Sequence, residues 1–166
     1  MSSEKNGSQL MIVEDDLALQ KQIKWSLDQF ESVSADDRES ALNQLRRHNP
    51  PVVTMDLGLP PDADGSAEGF ALLEQMLAAA PDTKVIVLTG QNAQDNALRA
   101  VAMGAYDFLA KPFEPEMLAL TVQRALRLHE LQAENLTGLS GILERIRLIK
   151  GISNTETSIH LSSYKC

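Results

Sequence analysis

Short β-rich runs alternate with longer segments of helical period along most of this chain, and that alternation narrows its possible folds more than any other feature. The runs are "LMIV" at 10–13, "SVSA" at 32–35, "VVTM" at 52–55, "VIVL" at 85–88 and "YDFLA" at 106–110, each of strand length and bounded by turn-forming or charged residues. Between them Leu19, Ile23, Leu27 and Phe30 fall on one face of a first helix, and Ala41, Leu42 and Leu45 on one face of a second. Phe70, Leu73, Leu77 and Ala80 mark a third helix. A fourth runs from about Ala93 to Met103 and ends at Gly104, a residue suited to a helix C-terminus. Leu118, Val122, Ala125 and Leu126 mark a fifth. Strands alternating with helices imply successive βα units. The expected fold is therefore α/β, a doubly wound five-stranded parallel sheet with helices on both faces, because crossovers between parallel strands are almost always right-handed. The domain is expected over residues 9–131.

The flanks and the composition exclude several classes. "MSSEKNGSQ" has neither an apolar core nor a cleavage site and reads as a disordered leader over residues 1–8. After the domain, "RALRLHELQAENL" can continue the fifth helix, and "GLSGILERIRLIKGI" reads as a short amphipathic helix with Ile142, Ile146 and Ile149 on one side. Acidic residues outnumber basic ones 23 to 15, a formal net charge of -8. That balance opposes direct nucleic-acid binding, since a phosphate backbone is held chiefly by Lys and Arg. The single cysteine, Cys166, excludes an internal disulfide and a thiolate metal cage, and suits a reducing, cytoplasmic setting. No window approaches about 18 consecutive apolar residues, so no membrane span is expected.

In an open parallel sheet, ligands bind outside the carboxyl ends of the strands where the strand order reverses. The polar residues of interest stand at such ends: Glu14, Asp15 and Asp16 after the first strand, Asp56 after the third, Thr89 and Gly90 after the fourth, Lys111 and Pro112 after the fifth. Each has an ordinary reading by itself. Asp56 is a turn former, Asp16 a helix cap, Thr89 a polar residue leaving a strand and Lys111 a solvated charge. Their combination is harder to explain that way. Converging carboxylates repel and raise one another's pKa values unless a cation neutralises them, and an oxygen-only donor set without His or Cys points to magnesium rather than zinc. Magnesium, a lysine and a hydroxyl beside a carboxylate are equipment for phosphoryl transfer, with Asp56 as the nucleophile. A carboxylate needs no general base, in keeping with the absence of histidine at these strand ends. His48 and His129 fall on helices and His160 in the tail.

"MIVEDD", "VVTMDLGLP", "VIVLTG" and "GAYDFLAKPF", in this order and at these separations, resemble the receiver domain of bacterial two-component response regulators. The resemblance covers residues 9–131. It implies a flavodoxin-like (CheY-like) fold of strand order 2-1-3-4-5. It also implies roles: Asp56 as phosphoacceptor; Glu14, Asp15, Asp56 and the backbone carbonyl of Gly58 around magnesium; Thr89 as the switch hydroxyl; Lys111 as the active-site lysine, followed by a cis bond to Pro112. Phe108, three residues before Lys111, takes the place of the aromatic switch, and Tyr106 does not. The implied partners are a histidine kinase and a second copy of the chain, paired through helix four, strand five, helix five and the linker. The implied activity is stoichiometric phosphoryl acceptance with autodephosphorylation, not enzymatic turnover.

Two features depart from the family pattern. In "LGLPPDADGSAEGF" the Glu68-Gly69 pair comes about five residues late, which lengthens the loop after the third strand beside the phosphorylation site. A tolerated surface insertion is the plain reading, and shielding of the acyl phosphate or kinase discrimination the functional one. This insertion, "DRESAL" and "LHELQAEN" resemble NtrC-type activators of the PEP-CTERM-box group. There a helical linker and an AAA+ ATPase follow the receiver, and residues 132–166 resemble that linker and the opening of the ATPase. No G-x-x-x-x-G-K-[ST] motif occurs, so ATP binding is not expected and the chain reads as a truncated activator or an engineered fragment. Two rivals stand beside phosphorelay signalling. One is a pseudo-receiver that binds partners without phosphorylation; the other is a haloacid-dehalogenase-type hydrolase, which needs an Asp where Gly58 stands.

Overall fold

A computed structural model of the protein describes residues 9–61, 65–90 and 93–149, with side chains as far as residue 134. The expected leader and everything after Ile149, including the rest of the ATPase-like opening, lie outside the described residues. The elements run β1 (Leu10–Val13), α1 (Leu17–Ser26), β2 (Ser32–Ala35), α2 (Arg38–His48), β3 (Val52–Asp56), α3 (Ala67–Ala79), β4 (Lys84–Thr89), α4 (Gln94–Met103), β5 (Asp107–Ala110) and α5 (Pro115–Ile149). All strand pairs are parallel, and the sheet order is β2-β1-β3-β4-β5. The chain divides into two compact units after His129, the first of which contains the whole sheet.

The period-2 alternation of the strands builds two cores. Met11, Val13, Val53, Met55, Val85 and Val87 face one way and pack with Leu45 of α2, Leu73 and Met76 of α3 and Ala100 of α4. Leu10, Ile12, Val52, Ile86 and Leu88 face the other way, onto Ile23 of α1 and Leu118, Val122 and Ala125 of α5. Residues buried on both faces explain why β1, β3 and β4 read as continuous apolar runs. Burying each large side chain contributes about 1.5–3 kcal/mol, so this double core dominates the stability of the domain.

Local signals set the helix ends. The Asp16 carboxylate accepts from the N–H groups of Ala18 and Leu19 at the start of α1. Asp37 and Ser40 form a reciprocal capping box on α2. Gly104 closes α4 at φ 123°, a conformation that other residues adopt only under strain. Gly69 has a different reason. A Cβ there would overlap the backbone of Leu57, so the first turn of α3 rides directly on the chain leaving β3.

Two expectations change. Phe30, placed on the first helix, lies past its end: α1 stops at Ser26 with Leu27 as its cap, because the chain must turn before β2. Phe30 still packs on the α1–α5 core. The amphipathic segment expected as a separate short helix is continuous with α5, which runs through to Ile149. Gly138 and Gly141 weaken helix propensity there by about 1 kcal/mol each without ending the helix.

Candidate functional site

Parallel register brings the strand ends level. Val13 lies opposite Met55, Asp56 opposite Leu88 and Thr89 opposite Ala110. The residues just after β1 and β5 therefore share one rim with the last residues of β3 and β4. This rim lies where the order reverses, with β2 on one side of β1 and β3 on the other.

Glu14, Asp15 and Asp56 meet on it, each offering a carboxylate oxygen, and these oxygens all lie within 4.8 Å of one another. Lys111 reaches in from the end of β5: its Nζ is 3.1 Å from Asp56 Oδ2 and 3.6 Å from Glu14 Oε1. The Gly58 N–H donates to Asp56 Oδ1 at 3.2 Å. The Asp16 N–H donates to Glu14 Oε2 at 3.2 Å, and Gln20 Nε2 donates to the Glu14 carbonyl at 2.9 Å, holding the turn after β1.

Glu14 is the unusual member. It is 1% exposed, and its Oε1 has no hydrogen-bond partner among the described residues. Burial first, and then the neighbouring Asp56 carboxylate, push its carboxyl up from 4.5 to about 7, against the pull of the Lys111 ammonium. One lysine is thus shared between two carboxylates and lies nearer to Asp56. An orphaned buried oxygen, a reluctant carboxyl and an oxygen-only donor set together fit a hard cation that takes oxygen ligands. Neither histidine nor cysteine belongs to the cluster.

Beside the cluster opens a pocket of about 400 Å³, lined on the sheet side by Asp56, Gly58, Leu88, Thr89 and Lys111. Gly65 and Ser66, just before α3, and Ala93 and Asn96, at the start of α4, also line it. Of the clustered carboxylates only Asp56 lines this pocket, so it faces both the acidic group and the open space. Thr89 is 4% exposed at the end of β4. Phe108 lies opposite Val87 and packs on the α2–α4 core, whereas Tyr106 packs on the opposite face. The Lys111–Pro112 bond is cis, and so is Pro60–Pro61, which the sequence did not suggest. A larger hollow of about 670 Å³ lies over α1, lined by Lys21, Trp25 and Pro115 among others, and none of the clustered residues lines it.

The α3 and α4 contributions escape a reading of motifs. Gly65 and Ser66 fall in the loop after β3, beyond the residues that the motifs cover, and Asn96 sits mid-turn on a helix with a weak pattern. Another unforeseen link, Arg38 Nε to Glu68 Oε2 at 2.6 Å, ties the first turn of α2 to that of α3. Its partners are 30 residues apart, and no sequence signal pairs them.

Comparison with known proteins agrees with this geometry. Residues 10–123 match the model of the response regulator receiver domain family. The phosphate regulon transcriptional regulatory protein PhoB of Klebsiella pneumoniae is 31% identical over 120 residues, covering 71% of this chain and 51% of that protein. The C4-dicarboxylate transport transcriptional regulatory protein DctD of Pseudomonas aeruginosa is 32% identical over 143 residues, covering 85% of this chain and 30% of that protein. The chain thus spans about half the length of one relative and less than a third of the other. Among solved structures, the receiver domain of NtrX from Brucella abortus superposes with a TM-score of 0.66 at 29% identity, covering 71% of this chain and 98% of that one. Among the described residues no helix is long and apolar enough to cross a membrane.

Proposed function

The chain belongs to the response regulator receiver domain family, and on that footing we propose that it is the phosphoacceptor of a two-component phosphorelay, taking a phosphoryl group from a histidine kinase onto Asp56. The observation that carries this reading is the convergence of Glu14, Asp15 and Asp56 within 4.8 Å, with Lys111 Nζ 3.1 Å from Asp56 Oδ2. Asp56 is the carboxylate that also faces the pocket, so it is the one a donor can reach. The transferred phosphorus is attacked by an Asp56 oxygen while its bond to the kinase histidine breaks. The product is an acyl phosphate, formed once per molecule and lost by hydrolysis, so the protein is a switch and not a turnover enzyme.

Each neighbour has a task in this reading. Lys111 holds charge on the phosphoryl oxygens and restrains Asp56 beforehand. Magnesium bound by Glu14, Asp15, Asp56 and the Gly58 carbonyl would offset negative charge on the same oxygens. Thr89 donates its hydroxyl to the new group. Its movement frees space beneath α4 for Phe108, which already packs on that side of the sheet. Driving such an equilibrium from 1:99 to 99:1 requires about 5.5 kcal/mol of differential stabilisation. Two or three charge-assisted hydrogen bonds, at about 1.5–3 kcal/mol each, supply it.

The output is a homodimer through α4, β5, α5 and the linker. Supporting this, Leu98 and Val101 on α4 and Met117 and Leu120 on α5 are 64%, 39%, 47% and 46% exposed. These are large apolar side chains that a monomer leaves in water. The NtrC-type transcription regulators of the PEP-CTERM-box group remain our placement for the chain, with gene control exercised by an output domain, in the cytoplasm. To test the chemistry, the protein is incubated with acetyl phosphate and magnesium and its intact mass is measured. One phosphoryl group is expected on the wild type and none on Asp56→Ala. An unchanged wild-type mass would leave a pseudo-receiver, and a modification that survives the substitution would remove Asp56 from its role.

A further inference from the structure

Ser66 is a helix cap that does not cap. It occupies the N-cap position of α3, yet its side chain makes no bond to that helix. Asp16 and Asp37, at the same position on α1 and α2, both accept N–H groups of their own helices. Ser66 instead lines the Asp56 pocket together with Thr89 and Lys111.

Three features fix it there. Gly69 seats the first turn of α3 against the Leu57 backbone, where no Cβ fits. Glu68 is held by Arg38 of α2 at 2.6 Å. The Phe70 N–H donates to the Ser66 carbonyl at 2.9 Å, closing the first helical turn onto this residue. Ser66, between the loop after β3 and α3, is thereby held in the lining of the pocket that Asp56 faces.

We propose that Ser66 is a positioning residue for the phosphoryl group on Asp56, donating its hydroxyl to a phosphoryl oxygen and lengthening the life of the acyl phosphate. The proposal rests on Asp56 being the phosphoacceptor. In the hydrolysis that ends the signal, a water oxygen bonds to phosphorus, the bond from phosphorus to the Asp56 oxygen breaks, the carboxylate is restored, and inorganic phosphate leaves with the water's protons. A hydroxyl bonded to the phosphoryl oxygen stabilises the state before attack and occupies space that the water must cross. Such a bond to a charged group, once lost, changes a rate by about tenfold, equivalent to about 1.4 kcal/mol.

The test follows the decay of the phosphorylated mass after acetyl phosphate is removed, in wild type, Ser66→Ala and Ser66→Thr. Ser66→Ala is expected to decay about tenfold faster, Ser66→Thr to restore the wild-type lifetime, and both to melt at the wild-type temperature because no capping bond is lost. A structural role predicts a lowered melting temperature in the alanine variant and no rescue that depends on the hydroxyl. Equal lifetimes overturn the role of Ser66 and leave Asp56 untouched. A longer lifetime in the alanine variant also overturns it, by assigning the hydroxyl to the attacking water. A wild-type protein that gains no phosphoryl mass overturns both readings.

Discussion

Replacing Glu14 by glutamine removes one ionisation and almost nothing else, and the consequence can be worked out in advance. The carboxyl titrates at about 7 in the folded protein against 4.5 in an unfolded chain. Between those values the native state binds more protons than the unfolded one, so stability falls as pH rises, and the loss is complete once pH exceeds about 7. With about 1.36 kcal/mol for each unit of displacement, the full loss is about 3 kcal/mol. A neutral amide of the same shape escapes it. Glu14→Gln is therefore expected to match the wild type at pH 4, where both side chains are uncharged, and to be more stable by about 3 kcal/mol at pH 8, or about 10 °C in Tm for a domain of this size. The assay is thermal unfolding in EDTA at the two pH values. The difference between the proteins removes the contribution of groups remote from Glu14, which both contain unchanged. Added magnesium is expected to raise the wild-type Tm at pH 8 and to raise that of the variant much less, because binding requires the deprotonated carboxylate. A gap of equal size at both pH values, or a variant no more stable than the wild type at pH 8, would refute the reasoning.

Two further outcomes test the packing and the output. Gly69→Ala forces a methyl group into the Leu57 backbone, so it is expected to cost at least about 1–3 kcal/mol and to slow phosphorylation by acetyl phosphate, read by urea denaturation and by intact mass. A variant as stable as the wild type would show that α3 can lift off without loss. Leu98→Asp, on the exposed face of α4, is expected to keep the wild-type Tm while abolishing the dimer formed with beryllofluoride and magnesium. Light scattering distinguishes this from a dimer that persists.

What the sequence disclosed follows from where physical constraints are local. Strand positions were legible because β1, β3 and β4 are buried on both faces and are apolar along most of their length, with Thr54 an exception within β3. The functional rim was legible because parallel pairing keeps strand ends level, so that residues far apart in the chain are neighbours whenever each follows its own apolar run. The same logic fails wherever spacing is set by contacts between elements. In "EDD" the sequence separates Asp16, the cap of α1, from Glu14 and Asp15, yet it gives no sign that of these two it is Glu14 that is 1% exposed. No pattern distinguishes them until Asp56, Lys111 and the turn held by Gln20 are in place. Phe30 kept helical period after the helix had ended, because period records the side of the sheet and not the backbone conformation. Ser66 shows the largest gap. A polar residue in a Gly- and Pro-rich loop carries no sign of its direction, and its place in the pocket depends on Gly69 meeting Leu57 and on Arg38 reaching Glu68.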